Sequence, residues 1–114
     1  MKASRRRIDD ALLFALRGEF DMFVCRSFRE EMERELEAGA RYVALNLARV
    51  VFLGSSAVSA LLHLRNRLDA EGGVLVLSEP SIVVREVLEQ LGLQAQLPWE
   101  ADDEAALEAL AAAA

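Results

Sequence analysis

The stretch YVALNLARVVFLGSSAV, residues 42–58, decides the fold. Residues 42–47 form a short, mostly apolar run, which is typical of a buried strand. Residues 48–54 form a short link. From Ser55 to Glu71 the apolar side chains recur with helical spacing, and Gly72 and Gly73 end this pattern. The stretch therefore predicts a strand, a link and a helix that packs back on a sheet.

The chain before this stretch repeats the same order. Residues 11–16 form another short apolar run, and residues 3–8 are a candidate edge strand beside it. Ser27 and Glu30 have the spacing of a capping box, and a helical stripe of Phe28, Met32 and Leu36 follows. A helix start one turn earlier, near residue 24, remains an alternative. Gly39 is a plausible end of this helix.

The chain after residue 71 continues the alternation. Residues 74–77 predict a third buried strand, and Pro80 suits the first turn of a helix that runs to Leu91. We expect Leu91 to face inward together with residues 84, 87 and 88. A weak strand is predicted at residues 95–97, and Asp102 and Asp103 open a last, alanine-rich helix. Strands that alternate with helices predict one α/β domain, residues 1–114, with helices covering a sheet.

Charge and composition restrict the possible functions. The chain has 13 basic and 19 acidic residues, a formal net charge of -6. It is therefore a poor candidate for nucleic-acid binding, because affinity for phosphates comes from clustered Lys and Arg. The one basic cluster, residues 5–7, is interpreted as solvated charge. No apolar run approaches the ~20 residues that span a bilayer, and no signal peptide is recognised, so we expect a cytoplasmic protein without membrane insertion.

Candidate catalytic and metal-binding side chains are few. Cys25 is the only cysteine and His63 the only histidine, so an internal disulfide is impossible and His63 lacks metal-binding partners of the right type. A single cysteine fits a reducing compartment. The sequence has no phosphate-cradling loop, no dinucleotide fingerprint and no convincing Ser-His-Asp set. We therefore expect no cofactor, no metal and no enzymatic activity.

Two turns carry a resemblance to a known family. Gly18-Glu19-Phe20-Asp21 follows a predicted strand and precedes a helix, and Gly54-Ser55-Ser56-Ala57 follows the next strand. With this element order, the chain resembles the STAS domains of bacterial anti-sigma factor antagonists, in which the turns are Gly-Glu-Leu-Asp-like and Asp-Ser-Ser-Gly-like. The resemblance covers nearly the whole chain. It implies an α/β STAS fold, with a four- to five-stranded mixed sheet and about four helices.

The resemblance also implies a function. Such antagonists bind a kinase-type anti-sigma factor, which phosphorylates the first serine of the second turn and so breaks the complex. By position the phosphorylation candidate is Ser55. A phosphate at a helix start is compatible with the fold and adds about -1.5 to -2 charges to a docking surface. The implied partner-binding residues are Asp21, Gly54, Ser55, Ser56, Ala57 and Val58.

The second turn departs from the family pattern twice. Gly54 replaces the usual aspartate, and Ala57 replaces the usual glycine. We expect Ala57 to favour the helix and to add a methyl group at the surface. These departures favour an alternative, a non-phosphorylated STAS interaction or scaffold subunit of a signalling or lipid-transport ATPase assembly. Ser55 also fits a purely structural role as a helix N-cap, as does Asp21, and a small-ligand binder is a third alternative.

Overall fold

Five strands and four helices alternate along the chain. A computed structural model describes residues 1–114. The elements are β1 (Lys2–Ile8), β2 (Ala11–Phe20), α1 (Met22–Glu37), β3 (Tyr42–Leu53), α2 (Ser55–Ala70), β4 (Val74–Ser78), α3 (Ile82–Gln90), β5 (Trp99–Glu100) and α4 (Asp103–Ala113).

The strands form one mixed sheet in the order β1-β2-β3-β4-β5. β1 pairs antiparallel with β2 through a tight turn in which Asp9 has a positive φ of 53°. The other three neighbouring pairs are parallel. This arrangement confirms the mixed α/β sheet and the four helices expected from the sequence, and it assigns residues 2–8 to an edge strand.

The two faces of the sheet bury cores of very different size. Leu12, Phe14 and Leu16 alternate along β2 and face a core of 25 buried residues, to which α1, α2 and α3 contribute. Leu13, on the opposite face, belongs to a core of only five buried residues that includes two from α4. Both faces of the central strands are therefore buried, which explains why their sequences lack polar alternation.

The first helix begins earlier than the capping box suggested. Asp21 is the N-cap of α1, because its side chain accepts hydrogen bonds from the backbone of Phe23 and Val24. Ser27 therefore lies inside the helix, and the prediction that the Ser27–Glu30 pair marks its start is wrong. The helical stripe itself is confirmed, since Phe28 is buried together with residues 32 and 36.

The third helix and the last strand also differ from the sequence prediction. Ser81 is the N-cap of α3 and its side chain accepts from Val84 N, so Pro80 precedes the helix instead of lying in its first turn. Leu91 is 56% exposed, so the prediction that it faces inward is wrong. The last strand is β5, not residues 95–97. The predicted start of α4 is confirmed, since Asp102 caps it.

Candidate functional site

The two turns singled out in the sequence meet at one edge of the sheet. β2 and β3 are parallel, and their last residues pair as Glu19 with Phe52 and Phe20 with Leu53. The backbone N–H of Gly54 donates to the carbonyl oxygen of Phe20 at 3.1 Å. The starts of α1 and α2, which directly follow these strands, therefore lie side by side.

The side chain of Asp21 caps the start of α1. Oδ1 of Asp21 accepts from the backbone N–H of Phe23 at 3.1 Å and from that of Val24 at 3.0 Å. The carboxylate thus satisfies two of the donors that a helix start leaves unpaired, and its negative charge lies at the positive end of the helix dipole. Asp21 therefore lies at the same edge as the second turn, and it caps α1.

The start of α2 is built differently. Gly54 is the N-cap, with extended backbone angles of -82° and 169°, and no side chain caps this helix. The carbonyl oxygen of Gly54 accepts from Ala57 N at 3.0 Å and from Val58 N at 3.1 Å. Ser55 is the first helical residue and is exposed. The alternative in which Ser55 is the N-cap is therefore wrong, and its hydroxyl group is accessible from solvent.

Gly54 leaves room that the ring of Phe52 partly occupies. A Cβ atom at position 54 would lie 3.2 Å from Cε2 of Phe52 and 3.8 Å from the carbonyl oxygen of Phe20. Phe52 is 49% exposed, so its side chain can move aside by the few tenths of an ångström that a larger residue at position 54 needs. The backbone at position 54 can therefore accept a larger residue such as aspartate once the Phe52 side chain shifts.

The last two residues of the predicted set are not on the surface. Ala57 is 0% and Val58 is 7% exposed, and both belong to the larger core. The expectation that Ala57 adds a methyl group to the surface is wrong, because the methyl packs inside. Of the six residues, those whose atoms reach the surface at this edge are Asp21, Gly54, Ser55 and Ser56.

Sequence reasoning missed four exposed apolar side chains beside Ser55. Met22 and Phe23 begin α1 and are 66% and 80% exposed. Val51 and Phe52 lie just before the end of β3 and are also exposed, Val51 at 64%. A run of large apolar residues directly beside each turn motif was the available signal. Contiguous exposed apolar side chains mark interaction sites in soluble proteins, and we call Met22, Phe23, Val51 and Phe52 the apolar rim.

The other candidate catalytic side chains, Cys25 and His63, do not form a reactive site at this edge. Burial raises the pKa of the Cys25 thiol, an effect that Arg29 partly opposes, so the reactive thiolate is disfavoured. His63 is exposed on α2. Nowhere do three or more His, Cys, Asp or Glu side chains come close enough together to hold a metal ion. None of the four helices has the length and apolar character needed to cross a membrane.

The element order, the paired turns and the exposed serine agree with one family of domains. The sequence pattern of the STAS domain matches residues 2–106. The chain belongs to the STAS domain family. It is 30% identical over 106 residues to the Bordetella bronchiseptica protein named "Putative anti-sigma factor antagonist BtrV", and the match covers 93% of this STAS chain and 91% of that protein.

Solved structures show the same fold. The unphosphorylated form of the anti-sigma factor antagonist SpoIIAA has a TM-score of 0.83 and 24% identity to this STAS chain, with 97% of each chain covered. The phosphorylated form of SpoIIAA, described as a Bacillus cell fate determinant, has a TM-score of 0.74, with 94% of this chain and 97% of that chain covered. An anti-sigma factor antagonist from Mycobacterium paratuberculosis has a TM-score of 0.82 and 22% identity, with coverage of 96% and 93%.

Proposed function

We propose that this STAS domain is a cytoplasmic anti-sigma factor antagonist that binds a kinase-type anti-sigma factor through the edge formed by the starts of α1 and α2. The observation that carries the proposal is the exposed Ser55 hydroxyl at the first position of α2, beside the apolar rim. An apolar surface bordered by polar groups is the usual composition of a protein-binding site.

Phosphorylation of Ser55 would act on binding more than on folding. No side chain caps α2, so the positive end of its dipole is available to a phosphate. The dipole would stabilise that phosphate by roughly 0.3–1 kcal/mol. The phosphate would add about -1.5 to -2 charges next to the carboxylate of Asp21 and the apolar rim. A partner that buries this edge would have to desolvate that charge, and the complex would weaken.

Three variants test the switch in a binding measurement with a kinase-type anti-sigma factor purified from the native host. We expect Ser55→Asp to weaken binding at least about tenfold, a loss of ~1.4 kcal/mol, while Ser55→Ala binds like the wild type and is not phosphorylated. Asn66→Asp is the matched control, because it adds the same charge to an exposed position near the other end of α2. It should leave the affinity unchanged.

One feature favours a second function, that of a STAS scaffold subunit that is not phosphorylated. Gly54 lacks the carboxylate that the resemblance led us to expect beside Ser55. In that case Ser55→Asp and Ser55→Ala would bind an isolated partner assembly equally well. Equal binding of the two variants would therefore refute the switch and leave docking through the same edge as the function.

A further inference from the structure

The sheet face that carries α4 is only partly covered. The small core beneath α4 contains Leu13, Ala44 and Val76, one residue from each of three neighbouring strands. Beyond the start of α4, this face opens into a groove of about 730 Å³. The groove lies over β1, β2 and β3, and its wall includes Asn46 and Glu79. It is distinct from the apolar rim, because none of the four rim residues lines it.

Three cationic side chains cross the groove in a row. Lys2 of β1 pairs in register with Arg17 of β2, and Arg17 pairs in register with Arg49 of β3. All three are exposed and line the groove. Because neighbouring strands lie about 4.8 Å apart, the row spans about 10 Å. We call Lys2, Arg17 and Arg49 the cation row.

The cation row has no carboxylate partner within the chain. Two other cations of β1 are paired on the opposite face, since Arg5 pairs with Glu31 and Glu35, and Arg7 also pairs with Glu35. Arg6 of β1 has no ion pair either, but it does not line the groove. None of the eight ion pairs of the molecule includes a member of the row. The one acidic residue that lines the groove is Glu79.

This arrangement lowers stability in the isolated chain. Like charges directly opposite each other on neighbouring strands repel, and no member of the row is in an ion pair that would offset that repulsion. The row thus concentrates three positive charges in a protein whose formal net charge is -6. A bound anion removes the repulsion and gains charge-assisted hydrogen bonds from the two guanidinium groups.

We propose that the cation row binds an acidic, extended segment of a protein partner. Alternate side chains of an extended segment project to the same side about 6.6 Å apart, so two or three glutamates or aspartates match a row of about 10 Å. A groove of about 730 Å³ is large enough for such a segment. Its lining has no aromatic ring on which a nucleic-acid base could stack. The net charge of the whole chain opposes its approach to an extended anionic membrane.

The test uses a fluorescein-labelled peptide of alternating glutamate and serine, measured by fluorescence anisotropy at low salt. Arg17→Gln/Arg49→Gln removes two members of the row. Each lost contact is worth a factor of about two to five, so for two contacts we expect affinity to fall about four- to twenty-five-fold. Arg26→Gln/Arg34→Gln is the matched control, because it removes the same charge from exposed positions on α1, and it should bind like the wild type. Binding should also weaken as salt is added.

The thermal stability of the double variant distinguishes binding from a structural role of the row. Because the row is repulsive, Arg17→Gln/Arg49→Gln should have a thermal midpoint no lower than that of the wild type. No peptide binding by the wild type at low salt would overturn the proposal, as would equal losses in the two double variants. Binding to vesicles of phosphatidylserine and phosphatidylcholine without peptide binding would show that the row binds a membrane surface. That result would also overturn the proposal. None of these outcomes depends on the phosphorylation of Ser55.

Discussion

The two helix starts at the candidate site should lose different amounts of stability when their polar side chains are removed. Asp21→Ala removes a carboxylate that accepts two backbone hydrogen bonds, at 3.1 and 3.0 Å. Loss of an N-cap costs about 1 kcal/mol, within a range of 0.5–2 kcal/mol. Ser55→Ala removes a hydroxyl group that caps nothing. A substitution of that kind on the surface changes stability by less than about 0.5 kcal/mol.

Urea denaturation followed by circular dichroism measures both values. For a chain of this size, 1 kcal/mol corresponds to a fall in the thermal midpoint of roughly 4 °C. The dependence of the free energy of unfolding on urea should be unchanged, because a cap does not alter how much surface unfolding exposes. Asp21→Asn is the control, since its side-chain oxygen can still accept and most of the stability should be kept.

The order of the two losses decides between the two capping schemes. A larger loss of stability for Ser55→Ala than for Asp21→Ala would show that Ser55 caps α2. Its hydroxyl group would then not be free for modification. Equal losses would contradict the assignment of Gly54 as the N-cap. A loss confined to Asp21→Ala would mean that Ser55 can be modified without weakening the helix that carries it.

Two further predictions concern the interior. Gly73→Ala should lower the free energy of unfolding by about 2–3 kcal/mol. A Cβ atom there would lie 2.9 Å from the carbonyl carbon of Arg41, and this backbone cannot easily move. An unchanged urea midpoint would contradict this packing. Burial raises the pKa of Cys25 in the folded state above its ordinary value of 9.0, so the unfolded chain loses this proton first and stability should fall as the pH rises above about 9. Cys25→Ala should lose less stability than the wild type over that range, and identical alkaline profiles would show that the thiol is not the cause.

The order of the elements was predictable because it depends on short-range patterns. Apolar runs such as residues 42–47 and the helical stripe through Phe28 report burial directly. The ends of elements were less predictable, since they depend on partners distant in the sequence. β3 extends to Leu53 because β2 continues beside it as far as Phe20. No local pattern in residues 48–53 predicts that pairing.

The candidate site was predicted in position but not in detail. The motifs placed Asp21 and Ser55 at one edge, because parallel strands bring their carboxyl ends together. They did not reveal which residue caps α2, since Gly54 and Ser55 are both acceptable N-caps and only the backbone angles distinguish them. The burial of Ala57 and the cation row were also hidden, because both follow from packing and strand register.

The unequal cores of the two sheet faces divide the molecule into parts that open at different free energies. α4 is held by a core of five residues. It is also held by Asp103, which accepts from Ser78 Oγ at 2.5 Å and from Asn46 Nδ2 at 2.8 Å. The remaining helices share a core five times as large. Local opening therefore releases α4 before the rest of the fold. This opening exposes Leu13 and Val76 beneath α4. Amides on that face should therefore exchange with solvent faster than those of the buried strands and helices around the larger core.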